Sequence, residues 1–140
     1  MAQSKRPIGL TKHTGFQVGV RRTLPVSLQE AWDLVTSQKG IRAWLGGSAN
    51  AAVLPGETYR LRDGTVGSVR LVSPGSHLRI TWHPSGWERP SLIQVRVIRA
   101  ATGTTISFHQ EHLPDARSRE QRRAHFAAAL DKLERLARRA

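Results

Sequence analysis

The chain contains no cysteine. Disulfides, thiolate metal sites and redox chemistry at sulfur are thereby excluded, and stability has to come from packing, a composition compatible with the cytoplasm. Nowhere do 18 apolar residues follow one another, so no membrane-spanning helix is expected. The opening MAQSKRPIGLTKHTG is basic and lacks an apolar h-region, so no export signal is expected either, and the protein reads as intracellular. Also absent are a Gly-x-Ser-x-Gly elbow, a Walker loop and a dinucleotide-binding fingerprint. These absences leave no nucleophile constellation, and neither a cofactor nor a metal is expected.

Acidic residues are scarce, with 10 Asp and Glu against 22 Lys and Arg, for a formal net charge of +12. The excess is unevenly spread. Residues 1–14 carry Lys5, Arg6 and Lys12 with no acid, and residues 116–140 carry basic side chains in large excess over Glu120, Asp131 and Glu134. A nucleic-acid surface needs cations converging on one face, with aromatics for stacking. Here the charge lies mostly in a tail and one helix, which disfavours nucleic acid as a partner.

With 140 residues the chain is long enough to bury roughly 68% of its unfolded surface around one core. We expect a loose tail over residues 1–14 and one domain over 15–140. Phe16, Val18, Val20 and Leu24 alternate with Gln17, Gly19, Arg21 and Thr23, a strand pattern with one defect at Arg22. Ser27 and Glu30 have capping-box spacing and start a helix. Ala31, Trp32, Leu34 and Val35 supply its apolar side as far as Gly40. Ile41, Trp44 and Leu45 mark a second short helix stopped by Gly46-Gly47.

From residue 51 to 113 the period becomes two, broken at Pro55-Gly56, Asp63-Gly64, Pro74-Gly75, Pro84 to Gly86 and Thr102-Gly103. Asp63-Gly64 predicts a tight hairpin with positive φ at both residues. Leu78, Ile80 and Trp82 share one face, as do Ile93, Val95, Val97 and then Ile106, Phe108, which predicts an antiparallel sheet with one apolar side. His77 and His83 fall on the solvated side. Residues 118 to about 138 carry a helical stripe of Phe126, Ala129, Leu130, Leu133 and Ala137. The predicted architecture is α+β: a strand, two short helices, a curved antiparallel sheet and one long helix that covers it.

These elements, with Val26-Ser27 to Ala31-Trp32, Arg42-Ala43-Trp44-Leu45-Gly46, Gly67-Ser68-Val69 before Pro74, Leu78-Arg79-Ile80-Thr81-Trp82, Gly103-Thr104 and Leu113-Pro114, give a chain that resembles the family of activators of the 90-kilodalton heat-shock-protein ATPase. That family belongs to the START-like, Bet v-like or SRPBCC helix-grip superfamily, and the resemblance covers about residues 16–138. It implies a cavity between sheet and long helix that takes apolar or amphipathic molecules. It also implies a chaperone or another protein as an alternative partner, and polyketide cyclase-like catalysis as a third reading. Gln110 stands where many relatives carry histidine, and His125-Phe126 where they carry Gly-Trp.

Parity names the cavity walls: Trp44, Tyr59, Leu61, Val69, Trp82, Val95, Phe108, Phe126 and Leu130, or else these side chains simply fill a core. Gln110 continues the inward row of Ile106 and Phe108, placed to bond a ligand, to satisfy a neighbouring backbone group, or to lie at the open end of the sheet; buried polar groups are usually paired within the protein. His109, Glu111 and His112 do not make a metal site, because alternation puts His112 on the opposite face from the other two. Arg119, Arg122 and Arg123 project onto the stripe of Phe126 and Leu130 near the helix start, where cations oppose the macrodipole. They either hold an anionic headgroup at a cavity mouth or extend into water along their stems.

Overall fold

The structure, a computed structural model, describes residues 10–11, 15–46 and 54–139. Its elements are β1 (Leu10–Thr11), β2 (Gly15–Leu24), α1 (Leu28–Thr36), α2 (Gln38–Trp44), β3 (Thr58–Arg60), β4 (Val66–Ser73), β5 (His77–Trp82), β6 (Ser91–Ala100), β7 (Gly103–Leu113) and α3 (Ala116–Arg139). One antiparallel sheet runs in the order β1-β2-β7-β6-β5-β4-β3, so the first long strand lies beside the last. Across the sheet α3 packs on β2 and β7 and meets α2. This is a helix-grip fold. The tail expected over residues 1–14 lies outside the described residues except for Leu10–Thr11, which pair with Phe16 and Gly15. Gly47 of the expected helix stop is outside them as well.

Local chemistry explains the helix starts. Ser27 Oγ accepts from the Glu30 N–H while Glu30 Oε1 accepts from the Ser27 N–H, a complete capping box. The break between the helices falls at Ser37 rather than at Gly40, where the apolar pattern placed it. Ser37 leaves the helical region, donates its hydroxyl to the Leu34 carbonyl and accepts from the Gly40 N–H, so one residue ends α1 and caps α2. Gly40 has a different task. A Cβ there would stand 1.7 Å from the Leu34 carbonyl oxygen, and its absence lets the two helices meet.

Three other expectations are corrected or refined by the strands. The break in pattern at Arg22 is no break: the residue keeps the inward parity of Val18, Val20 and Leu24 at the sheet edge, where α3 brings Asp131 and Glu134 within 2.7 and 3.2 Å of its guanidinium. Asp63-Gly64 does not form a two-residue hairpin. Only Gly64 has positive φ, and the turn is a wider loop closed by Leu61 N–H on the Thr65 carbonyl, with the Asp63 carboxylate accepting from Thr65 N–H. His83 and His77 lie on the outer face but are half-buried, since His83 Nε2 donates to the Trp87 carbonyl and His77 Nδ1 bonds Ser76 Oγ.

Inward rows build the core. Leu78, Ile80, Trp82, Ile93, Val95, Val97, Ile106 and Phe108 all pack in one cluster with Trp32, Trp44, Phe126, Leu130 and Leu133 of the helices. Near its end β7 carries an extra residue. His112 adopts φ 61°, the β2–β7 register shifts between Phe16 and Val18, and the inward row passes from Gln110 to Leu113. Such a bulge re-aims the strand end toward the turn that starts α3.

Candidate functional site

All nine apolar residues named as cavity walls, Trp44, Tyr59, Leu61, Val69, Trp82, Val95, Phe108, Phe126 and Leu130, are buried in one cluster under α3. Aromatic rings join its layers: Phe108 stacks on Phe126 with centroids 5.0 Å apart, and Trp44 lies 6.1 Å from Phe108. The indole N–H of Trp44 donates to the Val35 carbonyl, and Tyr59 donates its hydroxyl to the Thr81 carbonyl. Burial pushes the Tyr59 phenol well above its ordinary range, so it stays neutral.

One end of this apolar interior is polar. Gln110, at the end of the inward row of β7, is fully buried and lies beside Ser91, the first residue of β6, also buried. Ser91 Oγ donates to the Glu111 carbonyl at 2.6 Å and accepts from Gln110 Nε2 at 2.9 Å. Gln110 Oε1 in turn accepts from Arg122 Nε at 2.8 Å. Both ends of the amide are therefore committed, and its oxygen is fixed toward the guanidinium. Gln110 is thus paired within the protein, though its partners are the side chains of Ser91 and of Arg122 on α3 rather than a backbone group.

The arginines of the helix start separate. Arg122 is only 8% exposed, its Cζ 4.0 Å from the centroid of Trp82 and 4.9 Å from that of Phe126. Arg119 bonds the Gln17 carbonyl and Glu120 at the edge of β2. Arg123, 59% exposed along its side chain, pairs with Glu120 in solvent. Position on the helix accounts for this: Arg123 lies about 60° around the axis from Phe126, at the margin of the stripe, and Arg119 lies nearer the helix start, beside β2.

Among the described residues no carboxylate stands within ion-pair distance of Arg122. Burial pulls its guanidinium down to about 10, with Tyr59 and Asp63 acting in the opposite direction, so the group remains a cation at neutral pH. Its Nη2 is buried without a hydrogen-bond partner, and so is the indole Nε1 of Trp82 beneath it. On the next turn of α3 His125 donates Nε2–H to the Trp44 carbonyl at 2.7 Å. Burial first, then the charge of Arg122, lowers that imidazole to about 4, so it is neutral.

Sequence reasoning gave Ser91 and His125 no place in a site and did not name Trp87. Ser91 had a signal, since it shares the inward parity of Ile93, Val95 and Val97. Trp87 had none, because it sits in the Pro84–Pro90 loop, where it packs edge-on against Trp82 with centroids 5.5 Å apart. Trp87 also lines a cleft of about 560 Å³ shared with His112 and the Leu113–Asp115 turn.

Comparison with known proteins places this arrangement among relatives. Residues 25–138 match the sequence profile of the family described as activator of Hsp90 ATPase homolog 1-like protein. No curated protein sequence matches the chain. Among solved structures it is similar to protein MLL2253 from Mesorhizobium loti (TM-score 0.75, 22% identity, 89% of this chain and 98% of that one). It is also similar to CalU16 from Micromonospora echinospora (TM-score 0.74, 19% identity, 87% and 74% covered). A third likeness is to the Aha1 dimer from Colwellia psychrerythraea (TM-score 0.71, 15% identity, 84% and 92% covered). At these identities the likeness concerns the fold.

Proposed function

The chain belongs to the activator of Hsp90 ATPase homolog 1-like family, and on that premise we propose that it binds an amphipathic small molecule in the interior between the sheet and α3. The observation that carries this reading is the two-sided chemistry of that interior. Phe108, Phe126 and Leu130 make it apolar along most of its length, while Ser91, Gln110 and Arg122 make one end polar, and all are buried. A core built only for stability gains little from a buried arginine, because desolvating the charge offsets what its contacts contribute. An interior that opens to admit a molecule with an apolar body and a polar head would use both parts.

Native mass spectrometry of freshly purified protein tests the reading. The expected result is a second species, heavier by one small molecule, that disappears on denaturation. Only the bare chain mass, both as purified and after incubation with long-chain acids and alcohols, overturns it.

One feature favours a second reading, a module that docks a protein partner such as a chaperone. Lys39 and Arg42 of α2 and Lys132, Arg135 and Arg139 of α3 line a groove of about 340 Å³ with Ala43 and Leu136. Five cations around one groove suit an acidic surface. A pull-down with a purified chaperone at low and high salt separates the readings: salt-sensitive capture supports docking, and no capture at low salt removes it.

A further inference from the structure

The charges of α3 are sorted by side. Its acidic residues Asp131 and Glu134 both lie against Arg22 of β2, and Glu134 also holds Arg138. Lys132, Arg135 and Arg139 fall within about 60° of one another at the helical angle per residue, on the flank where α3 meets α2. There Lys39 and Arg42 share the groove with them, and α2 contributes no acid.

All five side chains are exposed, and among the described residues Lys39, Lys132, Arg135 and Arg139 form no ion pair. Their spacing also makes like-charge neighbours. Lys39 and Arg42 are three residues apart, as are Lys132 and Arg135, while Arg135 and Arg139 are four apart, and each such pair weakens a helix until an anion stands between its members. Beneath the cations the groove is apolar, because Ala43 is buried and Leu136 half-buried.

That apolar floor narrows the class of partner. A planar anionic membrane would rest on the rims and leave the floor uncovered. An oligophosphate has no apolar part to set on it, and a nucleic acid finds no aromatic ring among the groove's residues on which to stack a base. A peptide carries carboxylates and an apolar side chain on one backbone. We propose that the α2–α3 groove docks an acidic linear segment of a partner protein, with one apolar side chain set on Ala43 and Leu136 and carboxylates on either side of it paired with the cations of the two walls. From Lys132 to Arg139 the α3 wall is about 10 Å long, which an extended segment covers in about three to four residues. The element recognised is therefore short, an apolar residue with acids before and after it. This inference rests on the docking reading above and adds that the partner offers a linear segment rather than a folded surface.

Fluorescence anisotropy with the intact protein and a labelled peptide EELEE tests the proposal. EELEE is expected to bind about tenfold more tightly than EESEE, the gain from partly burying a leucine side chain, and tripolyphosphate is expected to displace it only in large excess. Arg135→Glu with Arg139→Glu is expected to weaken EELEE at least tenfold. Arg117→Glu with Arg123→Glu changes the net charge equally but lies about 13 Å or more along α3 from Lys132, beyond the reach of an unscreened charge, so its affinity is expected to stay within about threefold of wild type. Should the first double variant fail to fold, Lys39→Glu with Arg42→Glu on the other wall carries the same expectation. Equal loss in the groove and control variants, equal affinity for EELEE and EESEE, displacement of EELEE by an equimolar amount of tripolyphosphate, or capture by phosphatidylglycerol vesicles that EELEE does not compete away overturns the peptide groove. If EELEE fails to bind while a chaperone is still captured in a salt-sensitive way, the linear segment falls and docking stands; if both fail, the docking reading falls with it.

Discussion

The ring of Phe108 on β7 stacks on that of Phe126 on α3 with centroids 5.0 Å apart and planes 12° from parallel, which fastens the long helix to the sheet at its midpoint. Both rings are fully buried, and the same Phe126 ring has its centroid 4.9 Å from Arg122 Cζ. Sheet, helix and buried cation therefore share one packing unit.

Removing that ring should be expensive. Phe126→Ala is expected to lower stability by about 3–5 kcal/mol, the usual range for deleting a large buried aromatic. Chemical denaturation measures it directly, and a loss under about 1 kcal/mol would mean that the helix is held elsewhere.

His125 makes stability depend on acid. Its pKa is lowered to about 4 in the folded chain from 6.5, so the unfolded state binds the proton more readily across that window. Stability is unaffected above the unfolded value, falls as pH drops from about 6.5 toward about 4, and the loss levels out at roughly 3 kcal/mol. Melting curves across this range for wild type and His125→Gln should converge as pH falls. Parallel curves would show that the imidazole is not the group responsible.

At Gly40 the prediction is steric. A methyl group there meets the Leu34 carbonyl at 1.7 Å, and a backbone atom inside a helix end cannot turn aside. Gly40→Ala should therefore destabilise despite its better helix propensity, by at least the upper end of the roughly 1–3 kcal/mol typical of overpacking. An increase in melting temperature would contradict the tight α1–α2 junction.

The link from Arg22 to Asp131 and Glu134 is conspicuous but partly solvated, with the Asp131 side chain 57% exposed. Arg22→Ala should cost no more than about 1 kcal/mol, and the difference from wild type should shrink in high salt. A salt-independent loss of several kcal/mol would mean that the arginine stem, rather than its charge, seals the edge between β2 and α3.

Much of the fold was legible because the signals are local. Inward parity along β5, β6 and β7 correctly placed Trp82, Val95, Phe108 and Gln110, since period two needs only the next residue but one. Ser27 and Glu30 announced α1 by their spacing alone. Where reading failed, hydrogen-bond and charge partners that periodicity does not encode had intervened, within four residues at two places and across the chain at a third. The break at Ser37 depends on what the Leu34 carbonyl and Gly40 N–H need, and the turn at Asp63-Gly64 on a closure from Leu61 to Thr65. The pattern defect at Arg22 makes sense only with Asp131 and Glu134 beside it.

The candidate site divides along the same line. Periodicity on one helix could say that Arg119, Arg122 and Arg123 lie near the apolar stripe, because a helix turns by a constant angle per residue. It could not say which of them the sheet covers. That was decided by how far the end of β7 reaches, by the bulge at His112, and by Trp82 coming up beneath α3. Ser91, Gln110 and Arg122 sit on β6, β7 and α3, so their relay exists only once three elements are packed, and a charge is buried or solvated according to what lies above it rather than to its neighbours in the chain.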